Sequence, residues 1–474
     1  MKTALFSESE FDRMAAEVRQ VLFDVGYRVD HEGVKQAALK AGCRESTAGR
    51  ILFCEEQVAE LRTRLQRQYP PPAPGSPEPN LIHPRRELQT WIGNITPKYY
   101  DYARGEAVGG NLAGLREIVK FAHMEPRVAG ITLPLSRQDV PPALEQMAGL
   151  VEMAKLTSKP LGAIDVTVPE AVPYVAEMGA ALGSAPAAFV GACNCINPPL
   201  RLEHRTAETM IQRRRYHSTS MITPMPCIGG SGPADICGSI VLGTAEIVGG
   251  LILSMVIDPE APLLGYIACN QVDMLTGNGT SCTPQTVRVD AGVYQLMEHA
   301  FGGGTRVGGR SYINARRPGL QAVFERFLKA VGYAALVDRH ALHYQANGCL
   351  DNGSMSSPEQ FLLDVEAFAG LDALWTAPVV PPAGDAAARI RDVVLAGGGD
   401  FLGTEHTLGH FRDEIWAALY FQCRTRTRTE QEILDQCHAE YREKVARYQP
   451  AAHPPAVVSE LERILDKARQ ALAP

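Results

Sequence analysis

From about residue 110 the chain keeps one rhythm, in which short apolar runs alternate with stretches of helical periodicity. The runs are 128–135, 160–166, 188–193, 218–224, 262–269, 304–307 and 334–337, with helical patterns between them such as 142–156, 170–182 and 285–299. Repeated strand–helix alternation predicts a parallel sheet with helices on its faces. Seven runs, with one more hidden, fit an α/β chain closed as an eight-stranded (β/α)8 TIM-type barrel. The alternative is an open doubly wound sheet. No GxGxxG follows the first run and no Walker loop occurs, so a nucleotide-binding version has little support.

Ahead of the rhythm lies a small N-terminal α/β unit. Residues 8–25 place Phe11, Met14, Ala15, Val18, Val21 and Leu22 at helical spacing, and Ile51 to Phe53 reads as a strand between two helices. PPPAPGSPEP at 70–79 reads as a linker, because proline fixes the backbone and removes donors. The expected division is therefore 1–69 N-terminal unit, 70–80 linker, 81–446 barrel and 447–474 C-terminal helical tail.

Charge and cysteine content narrow the class. Lys and Arg total 46 against 53 Asp and Glu, a net charge of -7 that argues against a general nucleic-acid or anionic-membrane binder. Eleven scattered cysteines with no CxxC read as free thiols of a reducing, cytoplasmic compartment. The N-terminus MKTALFSESEFDRMAAEVRQ lacks the apolar core of a signal peptide. CGSIVLGTAEIVGGLILSMVID at 237–258 is long enough to span a bilayer. Its central Glu246, with Gly243, Gly249 and Gly250, marks it instead as a buried helix.

In a barrel, polar groups just past each strand face the site. These are Asp165, Asn194, Asn197, Asn270, Arg306, His340 and His343. Each equally serves as a cap or turn former. GGSGP at 229–233 falls between a strand and a helix, and it lacks the lysine of a phosphate loop. DRHALHYQANGCLDNG at 338–353 gathers His340, His343 and Tyr344. Those histidines suit a metal, a carboxylate or a purely structural role, and no third metal ligand is identified. FLGTEHTLGHFRDEIW at 401–416 offers His406 and Arg412, the latter suited to a carboxylate. Tyr99, Tyr100 and Tyr102 offer aromatic faces for a cation, or a packing strip.

Several ordered blocks carry a family likeness: LFDVGYRVDHEGVKQAALKAG, YYDYARGEAVGGNLAGLREIVKFAHMEPRVAGI, TPMPCIGGSGPADICGSIVLGTAEIVGGLILSMVIDPEAPLLGY, GCLDNGSMSSPEQFLLDVE and LGTEHTLGHFRDEIW. Together they resemble the trimethylamine methyltransferase family, which includes glycine betaine:corrinoid methyltransferases. The resemblance implies a (β/α)8 barrel and methyl transfer from a methylated amine to the Co(I) corrinoid (cobalamin) of a separate carrier protein. It implies no tightly bound cofactor, no metal ligands and a homo-oligomer. Founding members carry pyrrolysine; this chain does not, and so resembles the branch acting on quaternary amines such as betaines. The expected substrate-binding set is Tyr99, Tyr100, Asp165, Asn194, Asn270, Arg306, Arg310, His340, His343, Tyr344, His406 and Arg412, with no catalytic residue assigned.

The chain departs from the family in one place. GGGTRVGGRSYINARRPGLQAVFE keeps Gln321-Ala322 but replaces an Asp and a Lys around Ser311 to Asn314, and brings in Arg306 and Arg310. An arginine beside a quaternary ammonium is repulsive unless it pairs with the substrate's own carboxylate or with an acid. Two other readings stand beside this one: a barrel enzyme of another type using His340 and His343, and a methylated-amine binding protein without catalysis.

Overall fold

The computed structural model describes residues 3–70, 90–191, 193–308, 312–338, 348–376, 386–395, 400–414, 417–422 and 427–472. The N-terminal unit holds α1 (Glu8–Gln20), β1 (Arg28–Val29), α2 (Glu32–Lys40), the hairpin β2 (Arg44–Glu45) and β3 (Ile51–Leu52), and α3 (Glu55–Gln68). After it come β4 (Thr90–Ile92), the hairpin β5 (Lys98–Asp101) and β6 (Glu106–Gly109), α4 (Leu112–Met124), β7 (Val128–Ile131), α5 (Glu145–Leu156), α6 (Val172–Ala181) and the short α7 (Pro186–Phe189). The middle of the chain runs β8 (Cys193–Ile196), β9 (Arg201–Leu202), α8 (His204–Arg214), β10 (Ser220–Pro224), β11 (Cys227–Ile228), α9 (Ile236–Ile257) and β12 (Leu263–Ile267). It continues with β13 (Asn270–Val272), β14 (Gly279–Thr280), α10 (Pro284–Leu296), β15 (Thr305–Val307), α11 (Leu320–Leu336), β16 (Cys349–Leu350), β17 (Met355–Ser356) and α12 (Pro358–Thr376). Four helices close the chain: α13 (Ala386–Leu395), α14 (Glu405–Glu414), α15 (Glu430–Ala446) and α16 (Pro455–Leu472).

The predicted alternation yields a parallel α/β architecture. Strands β8, β10, β12 and β15 form one all-parallel sheet in sequence order. Strands β4 and β7 form a second parallel pair, which a bridge between Ile131 and Leu161 extends by one segment. That segment reaches toward β8 through Ile164 N–H, which donates to Phe189 O at 3.0 Å. Among the described residues the ladder is therefore open in two places, where the expectation was a continuous eight-strand closure.

Three strand expectations are corrected. The run 160–166 is reduced to the bridge at Leu161. The run 188–193 is not a strand: Pro186 opens the turn α7, and the strand begins at Cys193. Proline at the first helical position and two alanines favour that turn. The run 334–337 is the end of α11, whose buried face continues through Tyr333. The strand β4 is short and its neighbourhood polar, so it escapes a periodicity reading.

The core has two large lobes. One joins α1, α2 and α3 to α9 and α10, through residues such as Val18, Tyr27, Phe53, Leu61, Ile247 and Val293. The other joins α4, α5 and α6 to α12, α15 and α16. The membrane-length helix α9 is one of the most enclosed elements, buried over 89% of its most apolar window, so it is a core helix. At its centre Glu246 is fully buried; its Oε1 accepts from Leu200 N–H at 2.8 Å, while Oε2 has no partner. Burial pushes this carboxyl up to about 8, against the hydrogen bond from Leu200. The ten described cysteines are all free.

Candidate functional site

Strand pleat decides which side chains meet. On the main sheet, Asn194, Ser220, Ile222, Gly265 and Thr305 face the helix layer: Ser220 Oγ donates to Ser254 Oγ of α9 at 2.9 Å, and Ile222 packs on Gly250 of the same helix. Alternation then turns Cys193, Cys195, Met221, Thr223, Leu264, Tyr266 and Arg306 to the opposite, inner face. On the other sheet Trp91 lies across Gly130 and Gly162, where added Cβ atoms would come within 2.5 Å and 2.7 Å of its ring. Gly308 serves Tyr266 the same way: a Cβ there would sit 1.5 Å from the phenol ring. The inner face is thus tiled by aromatic rings laid over glycines.

Asp165 stands among these groups. Its carboxyl is 45% exposed, yet protein surrounds it closely enough that desolvation raises its pKa, opposed by Arg213. Cys193 and Cys195 lie within electrostatic reach of it. Burial first, and the Asp165 charge second, push the thiols up to about 12 and about 11. They are neutral near pH 7, so neither is a ready thiolate nucleophile. Tyr312 lies within electrostatic reach of Asp165, Cys193 and Cys195, and burial raises its phenol well above the usual value.

Asp165 is held from behind. Arg213, on α8, is nearly fully buried, and its Nη2 approaches Asp165 Oδ1 at 3.5 Å. Its Nη1 donates to Asn194 Oδ1 at 2.9 Å, and Asn194 Nδ2 donates to Ser220 Oγ at 3.1 Å. Nε and Nη2 make no hydrogen bond. A cavity of about 20 Å³ beside them, lined by Asn194, Arg213, Ser218, Ser220 and Ser254 among others, has room for one water. Across the inner face Arg306 is exposed and has no ion-pair partner among the described residues.

The twelve residues expected from sequence fall into six groups. Asp165 and Arg306 reach the inner face. Asn194 is turned away from it and acts through Arg213. Asn270 sits beyond the strand end, where its Oδ1 accepts from Ser281 Oγ at 2.6 Å in a polar cluster with Asn352 and Asn314. Tyr99 and Tyr100 pack rather than line the face: Tyr99 presses on Gly114 of α4, and Tyr100 is buried with Ile313 and Leu350. His406 and Arg412 lie on exposed α14, the His406 ring tilted against His410 with centroids 4.2 Å apart and Arg412 over Phe411. Arg310, His340, His343 and Tyr344 lie outside the described residues. Among the described residues no group of three or more His, Cys, Asp or Glu is placed to hold a metal ion.

The glycine loop at 229–233 is a turn. The N–H groups of Gly229, Gly230 and Gly232 donate to carbonyls of the same loop, and Asp235 caps α9 by accepting from Gly238 N–H. Amides already engaged, beside a carboxylate, do not cradle a phosphate. Sequence reasoning missed Trp91, Tyr266 and Tyr312, and took Cys193 and Cys195 as free thiols. The signal for Trp91 and Tyr266 was a glycine on a neighbouring segment, which needs the register to be known.

The molecule is an α/β protein whose inner face, among the described residues, carries a carboxylate at Asp165, a guanidinium at Arg306 and several aromatic rings. The chain matches the trimethylamine methyltransferase family over residues 1–473, and it belongs to that family. It is 26% identical over 174 residues to a trimethylamine methyltransferase of Methanosarcina barkeri, covering 37% of this chain and 34% of that one. It is 23% identical over 307 residues to the trimethylamine methyltransferase of Desulfitobacterium hafniense strain DCB-2, covering 64% and 60%. A glycine betaine methyltransferase of Desulfitobacterium hafniense strain Y51 is 23% identical over 270 residues, covering 56% and 55%. The chain thus spans about a third of the length of the first of these relatives and over half of the other two. The solved monomethylamine methyltransferase of Methanosarcina barkeri overlaps 98% of this chain and 92% of its own, at 10% identity and a TM-score of 0.42, too loose a likeness to build on.

Proposed function

We propose that this protein is a methyltransferase taking its methyl group from a quaternary, betaine-like amine and passing it to the Co(I) corrinoid of a carrier protein. We read the strand segments as a (β/α)8 barrel whose inner face is the substrate chamber, and place the protein in the cytoplasm, where its free thiols persist. One observation carries the reading: Asp165 and Arg306, which has no ion-pair partner among the described residues, stand on the same inner face, on segments separated by the three strands β8, β10 and β12. A cationic methylamine alone would leave Arg306 unanswered. A substrate with its own carboxylate answers both charges, its ammonium toward Asp165 and the aromatic rings, its carboxylate toward Arg306.

The chemistry suits a site without an acid or a nucleophile of its own. Co(I) supplies the electron pair of the new Co–C bond, while the C–N pair stays on nitrogen and leaves a neutral tertiary amine. No proton has to be delivered to the leaving group. The chain's residues need only bind the cation, aim one methyl outward and exclude water. Protonated Cys193 and Cys195 suit that task, since they add no competing negative charge.

The test is spectroscopic. Free Co(I) cobalamin is mixed with the protein and a panel of betaines, carnitines, choline and methylamines. Growth of the methyl-Co(III) band with a zwitterionic donor, and not with trimethylamine, is the expected result. Silence across the panel, repeated with carrier proteins, would overturn methyl transfer and leave a binding protein. Turnover with methylamines alone would overturn the role given to Arg306.

A further inference from the structure

The segment 312–315 is clamped from three sides. From α11, Glu325 Oε2 accepts from Asn314 N–H at 2.6 Å and Ala315 N–H at 3.1 Å, and Lys329 Nζ donates to Tyr312 O at 2.8 Å. From the turn after β16, Asn352 N–H donates to Ile313 O at 2.7 Å and Asp351 N–H to Ala315 O at 2.8 Å. From the approach to α10, Ser281 N–H donates to Asn314 Oδ1 at 2.6 Å. The clamp takes two charges out of water. Glu325 is 6% exposed and Lys329 0%. Burial pushes the Lys329 ammonium down to about 8, against the pull of the Asp290 carboxyl. Buried charges are a poor source of stability. What these two deliver is a backbone fixed in place. Of the four side chains on the segment, Ile313 and Ala315 are buried and Asn314 is tied to Ser281. Tyr312 alone is both partly open and without a side-chain hydrogen bond among the described residues.

The ring itself is seated as firmly as its backbone. It lies over Gly353, where an added Cβ would come within 2.7 Å of Tyr312 Cε1 and 2.9 Å of Cδ1. Gly353 O accepts from Asn94 Nδ2 at 3.2 Å, just past β4, so the ring sits beside the end of that strand. Asp165, Cys193 and Cys195 are its electrostatic neighbours from other segments. We propose that Tyr312 is the residue by which the chamber selects an ammonium group, its ring forming a fixed wall of the cation's seat. The inference rests on the substrate chamber proposed above and names the wall that reads its cationic end. A quaternary ammonium has no N–H to donate. The Asp165 carboxylate therefore attracts it without orienting it, and Arg213 already opposes part of that charge. A ring face held at one angle both attracts the cation and sets its direction. A ring on a loose loop would attract it and leave the methyl groups unaimed.

The test is calorimetric binding of two probes to the full chain: glycine betaine, and its carbon isostere, in which a tert-butyl group replaces the trimethylammonium. The two share shape and carboxylate and differ in the cation. Wild type is expected to prefer the betaine by about tenfold or more. Tyr312→Leu is expected to lose about tenfold in betaine affinity while isostere affinity changes less than about twofold. Tyr312→Phe, which keeps the ring, is expected to hold the wild-type preference. A Leu variant that keeps the preference overturns the proposal and leaves the chamber standing. So does one that weakens both probes equally, since that is lost packing. So does a Phe variant that behaves like Leu, since the hydroxyl is then the reader. Should the Leu variant not fold, Gly353→Ala takes its place: its methyl occupies the ring's seat, and a folded Ala variant that keeps the preference overturns the proposal. A wild type that binds neither probe, or both alike, overturns the betaine chamber and this inference with it. None of these readouts depends on methyl transfer.

Discussion

Arg213 belongs to the helix layer by position and to the inner face by charge. It reaches Asp165 from α8 and is steadied by Asn194 and Ser220 on neighbouring strands. Removing its charge leaves a half-enclosed carboxyl with less to oppose desolvation, so the Asp165 pKa rises. Arg213→Met is therefore expected to move the acidic limb of kcat/KM to higher pH and to raise KM about tenfold or more, with a smaller change in kcat. Asp165→Asn should raise KM comparably and remove that limb altogether. Profiles of kcat and KM against pH for both variants check this, and a Met variant whose acidic limb stays in place would sink the role assigned to Arg213. The strand-end rule made Asp165 and Arg306 visible in the sequence. Arg213 was not visible, because a basic residue near the end of a helix reads as an ordinary dipole partner until its neighbours are known.

At the scale of elements, three glycines create the aromatic floor. Gly130 and Gly162 make room for Trp91, and Gly308 makes room for Tyr266. Gly308→Ala places a methyl inside the phenol ring, so Tyr266 must swing off the inner face. The expected effect is a loss of substrate affinity out of proportion to stability, on the order of 1–3 kcal/mol for the overpacking itself. Calorimetric binding beside thermal melting would show it, and an Ala variant that binds normally would remove Tyr266 from the site. None of these glycines differs in sequence from a turn glycine, so the floor was illegible without register. The parallel runs at β7, β10, β12 and β15 were legible because buried parallel strands are continuous apolar stretches. The alanine-rich runs at α7 and the end of α11 misled for the same reason, since short apolar stretches do not distinguish strand from helix. The family block in α12 proves architectural: Glu359 holds His438 at 2.8 Å, Asp364 holds Arg326, and Glu366 accepts from Leu419, Tyr420 and Phe421 N–H groups. Those carboxylates tie distant segments together, which explains how a strong resemblance coexists with few legible site residues.

For the whole molecule, Glu246 sets a pH dependence. Its folded pKa of about 8 exceeds its ordinary value of 4.5. Below pH 4.5 both states are protonated and no cost arises. Between pH 4.5 and 8 the unfolded chain releases a proton that the folded chain retains, so stability falls as pH rises and the loss is complete above pH 8. The size is on the order of a few kcal/mol. Glu246→Gln keeps the acceptor for Leu200 and cannot ionise. Its melting temperature should match wild type near pH 4 and exceed it increasingly toward pH 8. Parallel curves across that range would show that the carboxyl is solvated after all.

The same carboxyl bears on how the chain is made. During synthesis α9 emerges as 22 residues, with a mean hydropathy of 2.2 over its most apolar window, before its neighbours exist to bury it. By composition a translocon would meet a candidate for lateral release into lipid. A carboxylate at the centre of such a segment adds about 3 kcal/mol to insertion. Glu246 thus weakens the finished core at alkaline pH while keeping the nascent helix in water. A variant optimised only for thermal stability, with leucine at this position, would gain a firmer core and lose a charge that opposes insertion into lipid.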